Sequence, residues 1–133
     1  MTPKYRDLGL LLLRLGIGVF FMVHGYPKLL GGPEKWQALG SVMQLIGINF
    51  LPQAWGLMAG LAEFGGGLCL IAGVAFVPAA LAMAATMLMA TTMHLSKGDG
   101  FNVASHAIEL GIVFISLALI GPGRFKLKLS FSS

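Results

Sequence analysis

Four apolar runs of nearly equal length follow one another along the chain with only short breaks: Leu8 to Leu30, Ala54 to Gly73, Pro78 to Ser96 and Asn102 to Gly121. Each is close to the ~20 residues that a helix needs to cross a hydrocarbon core of ~30 Å. Lipid offers no partner to an open backbone amide or carbonyl, so such runs must form helices or the strands of a closed barrel. The period-two alternation of a barrel strand is absent. The sequence therefore predicts an all-α protein, a polytopic transmembrane four-helix bundle occupying a single domain over residues 1–133. Charged residues make up 11% of the chain, about half the share of a soluble domain. That deficit fits a lipid-bilayer partner and argues against nucleic acid.

A cleavable signal peptide is the rival reading of the first run, since Lys4 and Arg6 precede it. Arg14 interrupts it, however, and the apolar character continues to Leu30 without a small-x-small cleavage site. Between the first two spans, "GGPEKWQALGSVMQLIGINFLPQ" is too long for a turn and too polar to cross. Trp36, Leu39, Val42, Met43 and Ile46 recur at helical spacing, predicting a short interfacial or re-entrant helix over about 34–47. Trp36 and Trp55 would mark the headgroup level there. Basic residues flank the termini more than the loops: Lys4, Arg6, Arg124, Lys126 and Lys128 against Lys28, Lys35 and Lys97. That bias places both termini in the cytoplasm.

Within this apolar background the ionisable residues stand out. Glu63 lies about 14 Å below Ala54, close to mid-membrane. Charge at that depth costs at least ~2.5–3.5 kcal/mol, so it should face the bundle interior and find a partner. Arg14 and Lys28 are the two structural candidates. Arg14, Ile17, Phe21, His24 and Lys28 step by three or four and form one stripe, and His106 and Glu109 share a face. Around Glu63 the positions three and four away are Ala59, Gly60, Gly66 and Gly67. They form a groove where a second helix or a flat ligand can approach.

Two readings of the set compete. In one, Glu63 pairs with a basic residue and the histidines bond serine, threonine and backbone groups, all of it structural. In the other, Glu63, His94, His106 and Glu109 form the reactive set of a polar pocket in the outer half of the bundle. Arg14, Phe21, His24, Lys28, Gly60, Gly66 and Gly67 would then line its ligand site. Histidines carry protons near neutral pH. A quinone or quinol needs an apolar slot and donors for two carbonyl oxygens, which this composition supplies. The set has no compact metal motif and no paired cysteine, Cys69 being alone, so haem and metal are disfavoured as cofactors. The eight methionines read as packing residues.

The stretches "LLLRLGIGVFFMVHGYPKL", "LAEFGGGLCLIAG" and "HAIELGIVFISLALIGPGR", in this order and spacing, resemble the DoxX family of small four-span membrane proteins. The likeness runs from about Leu8 to Leu129. Arg14, Gly25, Lys28, Glu63, Gly66 and Gly67 fall on the family's motif positions, and "GYP" before Lys28 is a local departure. The resemblance implies a prokaryotic cytoplasmic (inner) membrane and an association with quinone-linked redox chemistry. The first expectation is accordingly a membrane subunit of a quinone-linked oxidoreductase system, with electrons supplied by redox partner proteins. A non-catalytic scaffold for such partners is the alternative, and a small-molecule or proton permease the third. Gly56 and Gly60 form a GxxxG pair that permits a homo-oligomer.

Overall fold

The computed structural model describes residues 3–128. The ends of the expected 1–133 domain, including Leu129 at the close of the family resemblance, lie outside them. The described residues form five α-helices with no strand: α1 (Pro3–Leu30), α2 (Gly32–Gly40), α3 (Pro52–Ala72), α4 (Phe76–Ser96) and α5 (Phe101–Ile120). Four of them, α1, α3, α4 and α5, are long and apolar enough to cross a membrane. Their bounds fall close to the four apolar runs. The largest difference is at the first, where the helix begins at Pro3, more than a turn before Leu8. The expected helix over 34–47 is split. Its first part is α2, and Ser41–Ile46 tightens into a 3-10 turn that stops at Gly47.

Glycine sets the closest contact in the bundle. A Cβ on Gly18 would lie 2.7 Å from the carbonyl oxygen of Gly67, and one on Gly67 would lie 2.5 Å from that of Gly18. One on Gly25 would lie 2.5 Å from the backbone nitrogen of Phe64. Helices α1 and α3 are thus antiparallel and in backbone contact, as small residues allow where no hydrophobic gain separates protein from lipid. The register continues past the end of α1, because Gly56 abuts Trp36 and Gly40 abuts Pro52. Helices α1 and α2 together therefore run the length of α3, with α2 against its N-terminal half. The first turns of α1 extend beyond the other end of α3, where the C-terminal tail meets Asp7 and the residues before it stay exposed.

This arrangement settles where the glycines point. Gly60 faces Lys28 and Leu29, Gly67 faces Gly18 and Met22, and Gly66 faces the thioether of Met83 on α4. The groove around Glu63 is filled by neighbouring helices. The GxxxG pair is likewise consumed inside the chain, Gly56 by α2 and Gly60 by α1, and does not offer a face to a second copy.

Leu10, Phe21, Leu70, Phe76, Met83, Met87, Ala107, Phe114 and Leu117 make the core. Methionines 83 and 87 are buried in it, in keeping with a packing role. Phe21 of α1 meets Phe114 of α5 edge-to-face, ring centroids 5.0 Å apart, and bridges the widest gap of the bundle. Outside these rings α1 and α5 part into a lateral groove of about 510 Å³ lined by Leu12, Leu13, Phe20, His24 and Leu110 among others.

Candidate functional site

The ionisable residues of the spans separate into three groups. The first is Arg14, 1% exposed at the end of the bundle that the C-terminal tail reaches. Its Nε donates to the Leu70 carbonyl at 2.8 Å and one terminal nitrogen to Ile71 at 2.9 Å. Its other terminal nitrogen donates to Pro122 at 3.0 Å and to Phe125. Leu70 and Ile71 belong to the last turn of α3, whose carbonyls have no intrahelical partner and carry the negative end of the helix dipole. A planar guanidinium with donors in a fixed fork can serve both that helix end and a passing strand of chain. Gly73 completes the turn with φ 73° and an N–H bond to Cys69. A side chain there would lie 2.8 Å from the Arg14 guanidinium.

The tail is fixed a second time nearby. The N–H of Leu127 donates to Ala72 at 2.9 Å, and the N–H of Arg124 donates to the carboxylate of buried Asp7 at 3.4 Å. Asp7 was not among the residues singled out from the sequence. It lies at a chain end among ordinary interface charges, and only the burial of α1 by the tail distinguishes it.

The second group lies near mid-span. Lys28 Nζ donates to Glu63 Oε1 at 2.6 Å, the lysine side chain 28% exposed and the carboxylate 4%. Of the two structural partners open to Glu63, the fold selects Lys28. Arg14 sits some two turns away along α3 and is committed to carbonyls. The second oxygen, Oε2, is buried with no hydrogen-bond partner among the described residues. Such an atom carries a desolvation cost of about 1–3 kcal/mol, more when charged. Trp36 on α2 fixes the level of the pair from above, its indole N–H donating to the Lys28 carbonyl at 2.9 Å. Pro27 lies one residue before Lys28, inside α1. Between α1 and α3 a lipid-facing slot of about 460 Å³ is lined by Val19, Met22, Val23, Tyr26 and Phe64 and by neither member of the pair. Tyr26 and Phe64, which pack ring to ring at 6.2 Å, are close in sequence to Lys28 and Glu63.

The third group is the remaining imidazoles and Glu109, and the structure does not gather them into an outer pocket. His94 meets Asp99 at 2.9 Å in the turn between α4 and α5. His106 and Glu109 are 80% and 70% exposed on the outward face of α5, 4.0 Å apart, too far for a hydrogen bond. His24 is exposed at the α1–α5 groove, with the buried ring of Phe21 edge-on to it. Helical spacing correctly put neighbouring residues on shared faces, but it carries no information about whether a face turns inward. Glu63 of the expected reactive set and Lys28 of the expected ligand set come together. His94, His106 and Glu109 do not join them, and Gly60, Gly66 and Gly67 contact helices.

The DoxX family model matches residues 9–95. Over 131 residues the chain is 30% identical to the inner membrane protein YqjF of Escherichia coli (strain K12), with 93% of this chain and 92% of that protein covered. No solved structure matches the chain.

Proposed function

Since the chain belongs to the DoxX family, we propose that this multi-pass membrane protein is a subunit of a quinone-linked oxidoreductase system, with Lys28 and Glu63 as its polar centre. The observation that carries the reading is the Glu63 carboxylate. One oxygen is bonded to Lys28 and the other is buried without a partner. A bundle stabilised by this pair alone would gain from filling that second position, so the open oxygen is a place to give or receive a proton. The slot between α1 and α3 has the size of a small-molecule site and opens toward lipid, the direction from which a quinone arrives. A quinone supplies two-electron, two-proton chemistry when bound. The chain's own contribution would be to seat the ring against Tyr26 and Phe64, offer the Lys28 ammonium as donor and exchange a proton at Glu63. His94, His106 and Glu109 take no part in this version of the site. Both termini are assigned to the cytoplasm by the basic residues at the chain ends.

Purification from native membranes in a mild detergent tests the proposal. Wild-type protein should retain quinone, Glu63→Gln and Lys28→Met should lose it by roughly tenfold, a change of 1.4 kcal/mol, and His106→Ala should keep it. Equal quinone in all four samples defeats the reading. A scaffold for redox partners is the second reading, favoured by Arg14, whose donors bind the tail to the bundle and so present a defined surface at that end. Under it no sample retains quinone, and removing the chain disperses a partner complex that the Glu63→Gln variant still holds.

A further inference from the structure

Arg14 has its hydrogen bonds but not its counter-charge. All four bonds go to neutral carbonyls, and no ion pair among the described residues includes it. A buried charge is ordinarily paired. The carbonyl end of α3 offsets about half a charge, yet two further cations stand beside it. A cleft of about 370 Å³ between α1, the end of α3 and the tail is lined by Leu11, Arg14, Ile71, Arg124, Lys126 and Leu127 among others. Arg124 and Lys126 are exposed and also lack an ion pair among the described residues. Asp7 is the only acid of the described residues at this end, and its buried carboxylate accepts from the N–H of Arg124. The tail is held through main-chain atoms, by the carbonyls of Pro122 and Phe125 and the N–H groups of Arg124 and Leu127. The charged side chains of Arg124 and Lys126 are left over.

We propose that this cleft seats the headgroup of an anionic phospholipid, whose phosphate is the counter-charge that Arg14, Arg124 and Lys126 lack. Its depth is right. Helix α3 has 21 residues, a length of ~31 Å, and so just crosses a hydrocarbon core of ~30 Å. Ile71 lies in its last turn, which places the cleft where the headgroups begin. A guanidinium takes a phosphate through two parallel bonds, and an ammonium adds a point charge. The walls suit the rest of the molecule. Leu11, Leu15 and Val19 follow one another at steps of four along α1, and Leu15 and Val19 are exposed. That apolar wall runs from the cleft toward mid-membrane, the course of an acyl chain. A soluble anion would use the cations and leave this wall bare. A zwitterionic headgroup brings its own cation and neutralises nothing. Lys4 and Arg6 at the start of α1 and Lys128 in the tail are exposed at the same end and strengthen the attraction for anionic lipid.

Full-length protein, delipidated in a mild detergent and offered equal amounts of phosphatidylglycerol and phosphatidylcholine, tests this by native mass spectrometry. Wild type should retain phosphatidylglycerol over phosphatidylcholine by about tenfold or more, as two cations at a membrane surface allow. The double variant Arg124→Gln, Lys126→Gln should lose most of that preference. Lys35→Gln with Lys97→Gln, which removes the same charge from the opposite end of the bundle, should keep it. Main-chain atoms hold the tail, so the first double variant should keep the helix content of wild type. Phosphatidylglycerol should raise the melting temperature of wild type and not of that variant, and inorganic phosphate should raise neither. Equal retention of the two lipids by wild type, or equal loss in both double variants, would overturn the proposal. So would a melt raised as much by inorganic phosphate as by the lipid, or an acidic protein held at the cleft in native membranes in place of lipid.

Discussion

Arg14 and Glu63 are both almost fully buried, both lie on the α1–α3 interface and both carry a charge that lipid would penalise. Their surroundings are opposite in kind. The guanidinium at the tail-bearing end meets four backbone carbonyls on two segments, drawn from the helix terminus and tail, which would otherwise lack partners. The carboxylate nearer mid-span meets one ammonium and leaves an oxygen unused. A polar group that completes every bond around it reads as architecture. One that is buried and left incomplete keeps a position for something that comes and goes. The comparison separates the two sites more sharply than charge or depth does.

The largest effect is expected at the saturated site. Arg14→Met strips partners from four carbonyls and frees the tail, which should cost on the order of 3–5 kcal/mol. The melt of reconstituted protein, followed by Trp36 and Trp55 fluorescence, would register it. Arg14→Lys should recover only part of the loss, since a single ammonium cannot span the fork of acceptors. A wild-type melt for Arg14→Met would remove the distinction between the two sites.

The next effect concerns the contact that holds the two sites on one interface. Any side chain at Gly67 must displace the backbone of α1, because its Cβ would lie 2.5 Å from the Gly18 carbonyl. Gly67→Val should destabilise by about 1–3 kcal/mol and weaken the Lys28–Glu63 bond with it. Gly65→Val, at a position where nothing lies within 4 Å, should melt near wild type. If the two valines behave alike, the backbone contact does not set the geometry of the pair.

The four spans were legible because lipid imposes length and composition on any segment that crosses it, and Trp36 and Leu39 announced α2 by helical spacing. That Glu63 needed an inward face and a basic partner also followed from its depth. Its choice of Lys28 over Arg14 did not follow, because the choice is made by the antiparallel register of α1 on α3, which Gly18 and Gly67 set through backbone contact. The clamp on the tail was hidden for another reason. Its acceptors are main-chain carbonyls of Leu70, Ile71, Pro122 and Phe125, and a carbonyl has no signature in a sequence. Depth along the spans, with a shared helical face, points His106 and Glu109 to an outer pocket, yet a helix with apolar residues on every side gives no sign of which face meets lipid.

The smallest effect on stability is expected at the incomplete site, and there the two regions should part most clearly. Glu63→Gln keeps an oxygen to accept the Lys28 bond and leaves the part-exposed ammonium without its counter-charge, so the melt should move by about 1 kcal/mol. Lys28→Met should cost somewhat more by leaving the acid without a donor. The lysine is 28% exposed and its stem can reach toward the interface, which discounts the loss. A double-mutant cycle over the two positions should give a coupling of about 1 kcal/mol, within the range for residues in contact. Quinone retention should respond in the reverse order of stability, falling in Glu63→Gln and persisting in an Arg14→Lys protein that still folds. A Glu63→Gln variant as unstable as Arg14→Met would mean that the carboxylate is another clamp, and its open oxygen would then carry no function.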